Sequence, residues 1–68
     1  MPWDENRYPS SMNNLAPLVR LKAIEIANAL LDEGYDDGKA IRIAIAKAKE
    51  WIGAWRISRA IASSIEAH

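Results

Sequence analysis

The sequence contains no cysteine and no phenylalanine, and its one histidine is His68. Lack of cysteine removes disulfides, thiolate zinc sites and cysteine nucleophiles together, and suits a reducing cytoplasm better than an oxidising exterior. A single histidine cannot make a metal cluster alone. No uncharged apolar run approaches the roughly 20 residues that a bilayer-crossing helix needs, and the acidic, polar start does not read as a signal peptide. Net charge is also missing: nine basic and nine acidic residues cancel, which argues against a global attraction to nucleic acid or anionic lipid. What is abundant is small and apolar. Half of the 68 residues are hydrophobic although only 7% are aromatic, and a chain rich in Ala and Ile favours closely approaching helices. At this length one thin-cored domain is expected, burying about 60% of the surface of its unfolded chain.

The neutral total hides a split. Residues 1–38 carry Asp4, Glu5, Glu25, Asp32, Glu33, Asp36 and Asp37 against Arg7, Arg20 and Lys22, a formal −4. Residues 39–68 carry Lys39, Arg42, Lys47, Lys49, Arg56 and Arg59 against Glu50 and Glu66, a formal +4. The halves either attract each other within the fold, or leave a basic surface for a partner.

Residues 1–16 show neither helical nor strand periodicity and read as an arm. Trp3, Tyr8, Met12 and Leu15 are its large side chains, which gain most by lying across an apolar groove, and Ser10 or Ser11 is a candidate cap for a short turn through Leu15. Pro17 suits the first position of a helix, where its missing N–H has no intrahelical partner to lose. From there a helix is expected to Glu33. Val19, Ala23, Ile24, Ile26, Ala27, Leu30 and Leu31 fall on one side at about 100° per residue, with Lys22, Glu25, Asn28, Asp32 and Glu33 opposite. Leu18 and Leu21 lie outside that stripe and Arg20 just inside it, so the first turn is expected to touch the arm.

Gly34 can end this helix in the left-handed conformation, and Asp36 or Asp37 can cap the next. The second helix, beginning near Gly38, carries Ile41, Ala44, Ile45, Ala48, Trp51, Ile52 and Trp55 on one face and the basic row Arg42, Lys49, Arg56 on the other. Ala40, Ala44 and Ala48, four apart, permit close backbone approach. After Gly53 the apolar phase turns by about 120° or more, to Ile57, Ile61 and Ile65. A break near Gly53 with a third helical segment is expected. The other course is a continuous helix with a second apolar strip, which dimerisation would cover.

None of these residues forms a catalytic or metal signature. An EF-hand loop starting at Asp32 would need Gly at its sixth position and an acid at its twelfth, where this chain has Asp37 and Ile43; capping explains Asp36 and Asp37 better. There is no nucleophile–base pair and no glycine-rich phosphate loop. The chain is too short to enclose the pocket of about 300–1,000 Å³ that substrates usually occupy. The row Arg42, Lys49, Arg56 can follow a phosphate backbone, but a second helix opening with Lys39, Ala40 and Ile41 lacks the polar residues that read base edges. Trp51 is expected in the core; for Trp55 both core and contact surface stay open.

The opening MPW, then YPSSMNNL, then VRLKAIEIANALLDEGYDDGKAIRIAIAKAKEW, resembles a group of short uncharacterised bacterial proteins and, more distantly, the ChaB-like family named as cation-transport regulators. The matching features, from Met1 to about Trp51, are Pro2 before Trp3, Pro9 then Ser11, Leu15, the face of Ile24, Asn28 and Ala29, and Ala44, Ala46 and Lys47 before Trp51. The resemblance implies a compact, helical, cytoplasmic bacterial domain with neither known enzymatic activity nor cofactor, and assigns no functional residue.

The sequence therefore predicts one all-α domain: an irregular arm (1–16), a helical hairpin (17–53) and a C-terminal helical segment (54–68). Its expected role is non-enzymatic binding of a protein partner or of a second copy, without cofactor or small-molecule substrate. Trp55, Ile57, Ile61 and Ile65 are the expected apolar anchors, with Arg56 and Arg59 at the rim. Nucleic-acid binding through Arg42, Lys49 and Arg56 is the alternative, and a membrane-surface role for the last segment ranks third.

Overall fold

A computed structural model describes the backbone of residues 2–66 and the side chains through Arg56. It is an all-α helical hairpin with an irregular arm: a 3-10 turn over Ser10–Met12, helix α1 over Pro17–Asp32 and helix α2 over Asp37–Glu66.

Local chemistry sets the helix boundaries. Pro17 opens α1 after Ala16, which offers no side-chain cap. At the other end Gly34 adopts φ +100°, and the turn closes with Gly34 N–H donating to Leu31 O (3.0 Å) and Tyr35 N–H to Leu30 O (3.1 Å). This Schellman arrangement satisfies carbonyls that the ending helix would otherwise orphan, and glycine adopts it without a Cβ clash. Asp36 then caps α2: its Oδ1 accepts from Lys39 N–H at 2.8 Å, while its backbone oxygen accepts from Ala40 N–H at 2.9 Å. Of the two aspartates expected to cap, Asp36 is the one that does.

The helices meet through small residues. Ala23 and Ala27 of α1 and Ala40, Ala44 and Ala48 of α2 are fully buried, so the backbones approach closely and the seam has little volume of its own. The arm supplies bulk. Met12 is the largest fully buried side chain, and Trp3, Tyr8 and Leu15 pack partly buried against the same cluster, as do Ile41, Ile45 and Trp51. The arm thus acts as a third layer across the groove of a two-helix hairpin, which could not enclose a core alone.

Three local expectations are corrected. The turn at Ser10 follows Pro9 with no side-chain cap from either serine. Asn28, placed by periodicity on the solvent face, is 4% exposed, because the arm covers that flank. The first turn of α1 does touch the arm, through Arg20, while Leu18 and Leu21 are 45% and 47% exposed. Finally, α2 runs without a break through Gly53, since one helix-interior glycine costs only about 1 kcal/mol. The C-terminal segment is helical, as expected, but it prolongs the second helix. At 1.5 Å per residue these 30 residues span about 45 Å, close to the 48 Å long axis of the molecule.

Candidate interaction surface

The antiparallel helices are of unequal length, 16 residues against 30, and the mismatch defines an open end. Lys22 Nζ lies 5.4 Å from the centre of the Trp51 ring, a cation–π contact that fixes the register there. One turn further toward the open end are Leu18 on α1 and Trp55 on α2, 45% and 40% exposed. Ile52 is still buried, whereas Ala54, Trp55 and Arg56 are exposed in succession. At about 100° per residue Trp55 lies in the direction of the Ala44/Ala48 seam, so its exposure marks where α1 no longer covers α2.

Of the expected anchors, Trp55 lies at this boundary with Arg56 beside it. Ile57, Arg59, Ile61 and Ile65 have side chains outside the described residues. Trp51, expected in the core, is half-buried and packs against it. The alternative basic row, Arg42, Lys49 and Arg56, is exposed throughout. Among the described residues the one ion pair is Lys22 Nζ to Glu25 Oε1, 3.6 Å, within α1. Asp32 and Glu33 therefore make no ion pair with Lys39, Arg42, Lys47, Lys49 or Arg56.

On the arm side, Arg20 sits 4.8 Å from the centre of the Tyr8 ring, and its Nη1 donates to Tyr8 Oη (2.7 Å) and its Nη2 to Leu15 O (3.1 Å). Its Nε is buried without a partner. A cavity of about 170 Å³ beside it is lined by Glu5, Pro17, Arg20 and Leu21. Glu5 on the rim offsets the guanidinium charge, so this hollow has no clear preference for an anion. Near the helix turn, a wide depression of about 390 Å³ is bordered by Glu33, Gly34, Tyr35, Asp36 and Lys39. Asp36 is occupied there with its cap. No three His, Cys, Asp or Glu side chains converge to hold a metal ion among the described residues, and no helix of those residues is long and apolar enough to cross a membrane.

Asn28 is the residue that periodicity misses. Its Oδ1 accepts from Trp3 N–H at 3.2 Å and its Nδ2 donates to Trp3 O at 3.0 Å. The one sequence signal is an Asn in mid-helix, where its propensity is poor, at the edge of an apolar stripe. Nothing in that signal identifies a partner 25 positions away.

The class so defined is a two-helix hairpin closed by an N-terminal arm, with one helix outrunning the other. The chain is similar, at 61% identity over 51 residues, to the uncharacterised protein YdaT of Bacillus subtilis (strain 168). The match covers 75% of this chain and 34% of that protein, so it spans about a third of the relative's length. No family model matches the chain, and no solved structure matches it.

Proposed function

We propose that this chain is a non-enzymatic helical interaction module whose contact surface is the part of α2 beyond the reach of α1. The observation that carries the reading is the succession Ala54, Trp55, Arg56, all exposed on a helix that continues to Glu66. In an unbroken helix the row Ile57, Ile61, Ile65 is out of phase with the Ala44/Ala48 seam, and a hairpin this thin cannot turn both rows inward. Partner contact through Trp55 and the three isoleucines, with Arg56 and Arg59 at the rim, resolves that excess of apolar surface. A cysteine-free composition favours a cytoplasmic setting.

The test separates contact surface from core. Ile57→Asp and Ile61→Asp are expected to leave the thermal midpoint of the dilute protein within a degree or two, and to abolish association. A fall of ten degrees or more, about 1–2 kcal/mol for a domain of this size, would show these isoleucines to be core and end the reading. A second reading rests on the exposure of Arg42, Lys49 and Arg56 without ion-pair partners among the described residues: the basic row of α2 binds nucleic acid through phosphate contacts.

A further inference from the structure

Gly53 stands in the middle of α2 with no internal reason to be glycine. Its φ is not positive, so no special backbone conformation requires it. A Cβ built there would meet nothing within 4 Å among the described residues, so none of them approaches too closely for alanine. Helix-interior glycine is destabilising relative to alanine, and no contact of the described residues offsets that. The residues around it on that side, Ala46, Lys49, Glu50, Ala54 and Arg56, are exposed.

We propose that Gly53 is the crossing point of a parallel two-fold dimer, in which α2 of a second copy packs on this face. The inference goes beyond the interaction-module reading, because Gly53 lies about 160° around α2 from Trp55, and it names a second copy as the partner of that other face. Charge selects both partner and direction. At about 100° per residue, Lys49 and Arg56 lie about 40° and 60° to one side of Gly53, and Glu50 lies about 60° to the other. A parallel two-fold brings the Lys49 border of one helix against the Glu50 border of its mate. Because positions 49 and 50 are nearly level, each Lys49 meets the partner's Glu50, and the two-fold makes two such pairs. An antiparallel crossing at Gly53 would instead set Lys49, four residues before the glycine, beside the partner's Arg56, three residues after it. Like charges would meet at both ends. Ala46 lies within about 20° of the Gly53 direction by the same register, so the face is small at the crossing. The exposed stretch is shorter than the 20–30 residues per side of a standard interface, so association is reversible and depends on concentration.

Sedimentation equilibrium of the full chain from micromolar to millimolar concentration is expected to show monomer and dimer. Gly53→Ala separates the roles: it is expected to raise the thermal midpoint of the dilute protein while weakening the dimer about tenfold, and Gly53→Leu is expected to abolish the dimer without unfolding the hairpin. Lys49→Glu is expected to weaken association, and adding Glu50→Lys to restore it. A wild type that stays monomeric overturns the second-copy proposal but leaves the module reading standing, since only a stability loss in Ile57→Asp and Ile61→Asp would end that. Dimers unaffected by Gly53→Leu, or a charge swap that fails to restore them, would equally overturn the parallel crossing.

Discussion

The side-chain amide of Asn28 pairs with the backbone of Trp3 as a neighbouring strand would, accepting from its N–H at 3.2 Å and donating to its carbonyl at 3.0 Å. Both ends of one peptide-like group are satisfied at a buried site, and the pairing fixes which way the amide faces. It ties the start of the arm to α1 through a contact between helix side chain and arm backbone.

Asn28→Ala is therefore expected to leave two polar groups of Trp3 without their partner, costing about 1–3 kcal/mol. In a domain of this size each kcal/mol lowers the midpoint by about 4–8 °C. Asn28→Asp is the sharper test, because it keeps the acceptor but turns the donor into a second acceptor facing the Trp3 carbonyl. It is expected to destabilise at least as much as alanine. Amide exchange at Trp3 reads the effect directly, and protection unchanged in both variants would show that the pairing does not hold the arm.

Met12 anchors the same arm by packing. Buried completely where the helix seam consists of alanines, it fills space that the smaller residues leave. Met12→Ala is expected to cost about 2–5 kcal/mol, a large share of the stability of so small a domain, whereas Met12→Leu keeps the volume and is expected to cost less than about 1.5 kcal/mol. Urea unfolding monitored by circular dichroism measures both. A Met12→Ala loss as small as about 1 kcal/mol would mean that the site tolerates a void and that the arm is not part of the core.

The hinge between the helices combines a cap with a positive φ. Asp36→Ala removes the acceptor for Lys39 N–H and is expected to cost about 1 kcal/mol. Gly34→Ala meets no steric neighbour, yet forces a Cβ into the conformation at φ +100°, at a cost of about 1–2 kcal/mol. The two act at adjacent steps of one turn, so their combined effect on the thermal midpoint is the test. A double variant no less stable than wild type would remove the turn from the determinants of the hairpin.

How far the fold can be read in the residues follows from how local each cause is. Pro17, Gly34 and Asp36 act on their own backbone within a few positions, so both ends of α1 and the start of α2 follow from residue chemistry. The alanines at 40, 44 and 48 declare their seam by spacing alone. Asn28 escapes because its partner is distant backbone, which has no sequence signature. Continuity through Gly53 escapes for another reason: a turn in apolar phase suggests a break only if every apolar row faces one core, and α2 outruns its cover. Trp55 and Arg56 could be singled out by sequence as surface candidates because they stand where the two apolar rows diverge, but the length of α1 decides that they are exposed.

The basic row gives the last prediction. Arg42, Lys49 and Arg56 recur every seven residues on α2, all exposed, yet the chain carries no net charge and four of its nine acidic residues, Asp32, Glu33, Asp36 and Asp37, crowd the turn between the helices. If the row binds a phosphate backbone, three contacts release about three counterions, so affinity should fall with a log–log salt slope of about −2 to −3. Neutralising all three residues with glutamine should abolish the slope. Titrating a mixed DNA pool at low salt checks this. Lys49 also discriminates between the readings, because the dimer pairs it with the partner's Glu50: DNA and a second copy would then compete for the same side chain, and adding DNA should shift the sedimentation profile toward monomer. Binding without such a shift would place the nucleic acid elsewhere, and no binding would leave the row a solvated face beside the dimer contact.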